Sequence, residues 1–300
     1  MPVHGVELIA NLPATADPAG FARMAEDAGF DGVACSDHYW MSAAYPHLWV
    51  ALATMAATTS RVSVLPSFAN NLLRSPFEFV QASVTLHGAA GGRYEAGLGA
   101  GWTEQELVAT GQRYPSGPDR ARRYREALLI VRELLTTGAC SFRGDHYTFD
   151  TPELPPLRHP EIPLVASVGG PWTIRHITPI VDRVELKFGR TTRGGQLDMA
   201  ALASVTIDEL AAMVAAVREV RPDIDIGLFL MIAAGDGPQV DAVAGRFGSN
   251  LVGRFAGEPR KVIDNVVALS EIGIGRVQLT ELAPGSLANV AAILQDIGHD

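Results

Sequence analysis

Residues 6–36, VELIANLPATADPAGFARMAEDAGFDGVACS, read as a strand, a helix and a second strand. Val6 to Asn11 is a short apolar run, Asp17-Pro18 supplies a cap and a first-turn proline, Gly29 ends the helical stretch, and Gly32 to Ser36 is again small and apolar. Outward from this unit the same alternation continues. Further strands are expected at Val62 to Ser67, Tyr94 to Gly99, Leu164 to Val168, Arg183 to Phe188, Ile226 to Ile232 and Arg276 to Leu279. Between them, Ser75-Pro76 opens a helix and Thr206-Ile207-Asp208-Glu209 caps another. Gly257-Glu258-Pro259 precedes an amphipathic stretch, Val262 to Ile272, that stops at Gly273. Apolar runs alternating with helical-period segments are the pattern of parallel strands joined by crossover helices. The predicted fold is therefore an α/β (β/α)8 TIM barrel, one domain over residues 1–300. A doubly wound open sheet is the competing architecture, since periodicity does not say whether a sheet closes.

Residues 136–163 break the rhythm, being too long for an ordinary connection. A short insertion is expected near residues 138–162, with Phe142 to Phe149 forming a hairpin.

Hydrophobic residues make up 47% of the chain and charged ones only 19%, enough to bury a large core. The net charge of -9 and pI near 5.4 argue against nucleic acid or an anionic membrane as partner, because both require a basic footprint. The expected partner is a small organic molecule. No run of apolar residues is long enough for a membrane helix, and MPVHGVELIANL lacks the pattern of a signal peptide, so a cytoplasmic location is expected. Cys35 and Cys140 are far apart and lack metal-ligand spacing, and no metal site is expected.

Chemistry in such a barrel gathers where strands end at the C-terminal face. Ser36-Asp37-His38-Tyr39-Trp40 falls at the end of the second strand, where His38 can move a proton near neutral pH and Asp37 can orient it. Gly97-Leu98-Gly99-Ala100-Gly101-Trp102 ends the fourth strand, and its alternating glycines allow close approach of a planar or phosphorylated ligand. Ser167-Val168-Gly169-Gly170-Pro171 leads into a helix N-terminus, a favourable place for a phosphate. Arg190 and Arg193 could engage an anionic tail. Glu185 and Lys187 should point opposite to Val184, Leu186 and Phe188, and pairing within a structural network is the role expected of them. Glu104 and Glu106 read as ordinary first-turn carboxylates.

The ordered set of Ala25 to Gly32 leading to Ser36-Asp37-His38, Gly91 to Trp102, the Arg143 to Phe149 hairpin, Ser167 to Pro171, and Gly257-Glu258-Pro259 with Gly273 resembles the luciferase-like monooxygenase superfamily. That resemblance implies a deazaflavin or flavin ring at the C-terminal mouth, backed by a bulge with a non-prolyl cis peptide at Ser67-Phe68. It also implies cofactor contacts from Asn70, Gly97, Gly99, Ala100, Gly101 and Ser167 to Gly170, walls from Trp40 and Trp102, and a homodimer. Ser-Asp-His looks like the branch using coenzyme F-420, and Ala100 stands where several flavin-using relatives carry an arginine. The implied function is F-420-dependent hydride transfer to or from an organic substrate. The alternatives are an FMN-dependent monooxygenase and a cofactor-binding protein without catalysis. Trp102 replaces the Glu that sugar-phosphate dehydrogenases of this family carry, which speaks against glucose 6-phosphate as substrate.

Overall fold

The computed structural model describes residues 5–41 and 43–297. Eight parallel strands form the frame: β1 (Glu7–Asn11), β2 (Gly32–Cys35), β3 (Ser63–Pro66), β4 (Ala96–Gly99), β5 (Leu164–Val168), β6 (Arg183–Leu186), β7 (Asp225–Ala234) and β8 (Arg276–Glu281). Each neighbour pairs in sequence order, and β1 pairs with β8 through Glu7↔Arg276 to Ala10↔Leu279. β3 and β4 meet only at the parallel bridge Val64↔Tyr94, fastened by Val64 N–H to the Arg93 carbonyl (3.0 Å) and Glu95 N–H to the Val64 carbonyl (3.2 Å). The ring closes there, and the open-sheet alternative falls away.

The helices start where their caps predict. Asp17 accepts from Gly20 N–H ahead of Pro18–Ala28, and Gly29 ends that helix at φ 90°, a left-handed conformation that costs glycine little. Ser75 and Thr206 cap Pro76–Ala89 and Ile207–Val220. The last amphipathic stretch begins earlier than its apolar periodicity suggests, at Pro259, and tightens into a 3-10 turn over Ala268–Ile272 before Gly273. Among the described residues, no helix is long and apolar enough to cross a membrane.

Alternation along the strands divides the core. Outward residues such as Leu8, Val33, Val64, Leu98, Val184, Leu228 and Val277 pack against the helices in one large cluster. Ile9, Ala34 and Leu65 face the barrel axis and form a separate small one. At the N-terminal end of the axis the inward side chains are charged. Arg276 reaches Glu95 with two bonds (2.6 and 2.7 Å) and Glu7 with one (2.6 Å), and Arg183 adds a third contact to Glu95 at 3.1 Å. Burial by itself would raise the Glu95 carboxyl, but the two guanidinium groups overcome that and hold it below the ordinary range.

The expected insertion is present as an antiparallel hairpin, Cys140–Arg143 with Thr148–Thr151. Its turn closes around Glu126, whose carboxylate accepts the backbone N–H groups of Asp145, His146 and Tyr147 at 2.9, 2.9 and 3.1 Å.

Replacing Arg276 by Met leaves Glu95 buried without its bidentate partner, and a loss of about 3–5 kcal/mol is expected in chemical denaturation at neutral pH. A carboxyl held low stabilises the fold above its unfolded pKa and loses that contribution as pH falls through its folded value. The gap between the two proteins should therefore narrow in acid.

Candidate active site

After β3 the chain turns through a cis peptide at Ser67-Phe68, as the family resemblance implies. It then lies beside β4, with Ala69 opposite Leu98 and Asn70 opposite Gly99. The glycines of β4 explain how this bulge fits. A Cβ on Gly97 would collide with the Pro66 carbonyl and the Phe68 ring, and one on Gly99 would lie 3.0 Å from the Phe68 Cβ. Gly101 has φ 77°, and its missing Cβ leaves room for the Asn70 and Leu72 side chains. The alternating glycines thus first make space for the chain's own bulge. Tyr124, fully buried, braces the same seam by donating to the Leu98 carbonyl at 2.5 Å. Tyr147 of the hairpin donates to Asn71 at 3.1 Å while accepting from Arg123.

Above the seam opens a cavity of about 660 Å³ at the C-terminal mouth, within the usual range for small-molecule sites. Asp37 and His38 reach it from the end of β2, Ser67, Phe68 and Asn70 from the bulge, Gly99 to Trp102 from the end of β4, and Ser167 to Gly170 from the end of β5. Two residues expected here do not line it. Gly97 lies beneath the bulge, and Trp40 stacks on Tyr39 with ring centroids 6.3 Å apart. Trp102 does form a wall, meeting the His38 ring edge-on at 5.5 Å.

His38 is oriented, but not by Asp37. Its Nδ1 lies 3.0 Å from Glu106 Oε2, and the second Glu106 oxygen accepts the Trp40 backbone N–H at 3.0 Å. Glu106 is almost fully buried and His38 nearly so. A carboxylate only accepts, so Nδ1 carries the proton, and in the neutral ring Nε2 keeps its lone pair with no partner among the described residues. Thr103 adds a contact to Nδ1 at 3.3 Å. Asp37, the neighbouring residue, is turned away. It accepts from Asn70 N–H (2.8 Å) and from two nitrogens of Arg74 (3.1 and 2.9 Å), clamping the bulge to the end of β2. Sequence reasoning took Glu106 for a first-turn carboxylate. Its first turn, Glu104-Gln105-Glu106, is polar throughout, so no local signal marks Glu106 as the acid that points inward.

The phosphate-loop expectation is modified in detail. The Gly169 and Gly170 N–H groups both donate to Thr173 Oγ1 at 3.1 Å, so they already have partners. Arg190 and Arg193 both line the cavity, but the Arg190 guanidinium is already paired with Glu209 and Ser204. Glu185 and Lys187 point inward but stand outside the ionic network at the N-terminal end, a correction to the role expected of them.

A family model described as luciferase-like monooxygenase matches residues 3–247. The chain belongs to the luciferase-like monooxygenase family. Among curated relatives, an F-420-dependent glucose-6-phosphate dehydrogenase of Amycolatopsis mediterranei is 32% identical over 53% of this chain and 50% of its own. The counterpart from Kineococcus radiotolerans is 32% identical over 58% and 54%. The chain thus matches about half the length of these dehydrogenases. A Mycobacterium tuberculosis protein assigned to the coenzyme F-420-dependent oxidoreductases is 29% identical over 94% of this chain and 84% of its own. In fold, this luciferase-like chain is similar to an F-420-dependent secondary alcohol dehydrogenase bound to an F-420-acetone adduct, at TM-score 0.75 and 19% identity over 97% of both chains. The F-420-dependent tetrahydromethanopterin reductase of Methanopyrus kandleri gives TM-score 0.75 and 18% identity, covering 98% of this chain and 99% of that one.

Gly97→Ala tests the packing of the bulge. The new methyl meets the Pro66 backbone rather than a movable side-chain end, and a loss of about 1–3 kcal/mol is expected in thermal or denaturant unfolding.

Proposed function

We propose that the protein is an F-420-dependent oxidoreductase transferring a hydride between the coenzyme and a small organic substrate, with His38 moving the accompanying proton. The observation that carries this reading is the His38–Glu106 pair on the wall of the cavity, with Nε2 left without a protein partner. The two glucose-6-phosphate dehydrogenases described above are F-420-dependent by name, which favours that coenzyme over FMN.

The residues present fit such a group. The mouth offers a flat floor at Phe68, closely approachable backbone at Gly99 and Gly101, polar groups at Ser67, Asn70 and Ser167, and a cation at Arg193 for an anionic tail. Bound there, the coenzyme supplies hydride exchange at C5 of its deazaflavin ring. The protein's own contribution is orientation and proton handling. Glu106 fixes the imidazole so that Nε2 takes up the substrate's proton in oxidation and returns it in reduction. The carboxylate also steadies the imidazolium that forms in the first direction, as a buried acidic partner does in other His-dependent sites. Trp102 covers the edge of the His38 ring and leaves this wall apolar, which suits a substrate other than a sugar phosphate. Assembly as a homodimer belongs to the same reading and rests on the family resemblance.

Parallel titrations with F-420 and FMN test the cofactor assignment. F-420 should bind at least about tenfold more tightly, a difference of 1.4 kcal/mol. Preferential FMN binding with oxygen-dependent turnover would replace this reading by a monooxygenase, and tight F-420 binding without redox exchange across varied substrates would leave a binding protein.

His38→Ala should lower turnover by about 10²–10⁴ while leaving the F-420 dissociation constant nearly unchanged. Glu106→Gln should cost less, about tenfold, and displace the pH profile of kcat, because the amide can no longer steady a charged ring.

A further inference from the structure

Lys187 follows β6 and points, like Glu185 two residues before it, toward the barrel axis. Deeper on that axis Arg276 and Arg183 are already occupied by Glu7 and Glu95. Lys187 is different. Among the described residues its ammonium has no hydrogen bond and no ion pair, and it sits over two aromatic rings, 4.9 Å from the Phe68 centroid and 4.2 Å from that of Phe229. It lines the same cavity as His38. β2, which leads into His38, and β6, which leads into Lys187, stand four strands apart in a ring of eight, on opposite sides of the mouth.

The environment leaves this cation short of a counter-charge. Burial pushes the ammonium down to about 8, with Glu185 opposing the shift. Glu185 is fully enclosed, and among the described residues neither its oxygens nor the amide of the neighbouring Gln278 has a partner in hydrogen-bond geometry. Burial pushes the Glu185 carboxyl up to about 7 against the pull of Arg276 and Arg183, so near neutral pH it offsets Lys187 only in part. A polar group in such a site gains most from a ligand that brings both charge and hydrogen-bond acceptors.

We infer that Lys187 is a substrate-specificity residue that receives a carboxylate of the substrate at the side of the mouth opposite His38. The match is to a monoanion. One ammonium offers a single charge and three donors, and the rings of Phe68 and Phe229 occupy two of its sides, which leaves little room for the several donors a phosphate dianion takes up. A carboxylate bound there raises the ammonium's affinity for its proton and aligns the rest of the substrate across the mouth. This assignment rests on the same cavity being the active site.

Calorimetric titrations of the full chain with benzoate, its neutral isostere benzamide, and phenyl phosphate, each with and without F-420, test it. Benzoate should bind at least tenfold more tightly than benzamide. Lys187→Met should abolish that preference while keeping the F-420 dissociation constant within threefold. Glu185→Gln, which removes the competing negative charge, should tighten benzoate severalfold, an effect that a merely structural lysine does not produce. If Lys187→Met alone does not fold, the uncharged pair Lys187→Met with Glu185→Gln carries the same comparison. Equal binding of benzoate and benzamide, a preference that survives loss of Lys187, or tighter binding of phenyl phosphate than benzoate overturns the inference. So does a tenfold loss of F-420 affinity in Lys187→Met, which would make the lysine a cofactor ligand. Failure of the wild-type protein to bind F-420 refutes the cofactor assignment separately, because the arm without F-420 still reads Lys187.

Discussion

Between the third and fourth strands the barrel is joined by one bridge, Val64 to Tyr94, and just above it the chain bends into the cis peptide bulge at Ser67-Phe68. A bulge there occupies space that a side chain on β4 would otherwise fill. Glycine at 97 and 99 is what admits it. The rest of the mouth depends on this seam. Asp37 and Arg74 tie it to β2, Tyr124 ties β4 to the helix that covers it, and Tyr147 reaches it from the hairpin insertion. An interior position crowded by backbone is intolerant of added atoms, because packed cores respond to a single methyl group.

The polar groups of the barrel axis sort by depth. At the N-terminal end the cations and carboxylates meet directly, in a network whose geometry compensates for its burial. Toward the mouth that compensation fades: Glu185 lacks hydrogen bonds and Lys187 lacks an anion. Such groups are costly as structure, and perturbed titration in a cleft is a mark of functional sites. The same gradient separates the two acids near His38. Asp37 is spent on holding the chain, with every contact made to Asn70 or Arg74, whereas Glu106 is spent on an imidazole that faces the cavity.

Much of this organisation was legible in the order of residues. Caps at Asp17, Ser75 and Thr206, terminators at Gly29 and Gly273, and the eight apolar runs are local features, read from a few neighbours at a time, and each is found in the structure close to its expected place. The ends of β2, β4 and β5 were recognisable as the walls of a site because strand ends at that face converge in any barrel of this kind. Ser67-Phe68 was legible only through the family resemblance, since nothing in a serine followed by phenylalanine marks a cis bond.

What the sequence could not carry was which side chains meet across the ring. Glu106 lies 68 residues from His38, and its partnership is set by how the helix after the glycine loop folds back over the end of β2. Trp40, adjacent to the site in sequence, turns outward to stack on Tyr39, and the Gly169 and Gly170 amides are claimed by Thr173. By itself the sequence determined the strands, the helices and the end of the barrel where chemistry gathers, because these follow from periodicity and short-range sterics. The tertiary structure alone decided the histidine's partner, the clamp made by Asp37 and the isolation of Lys187, because each depends on distances between residues that only chain closure brings together.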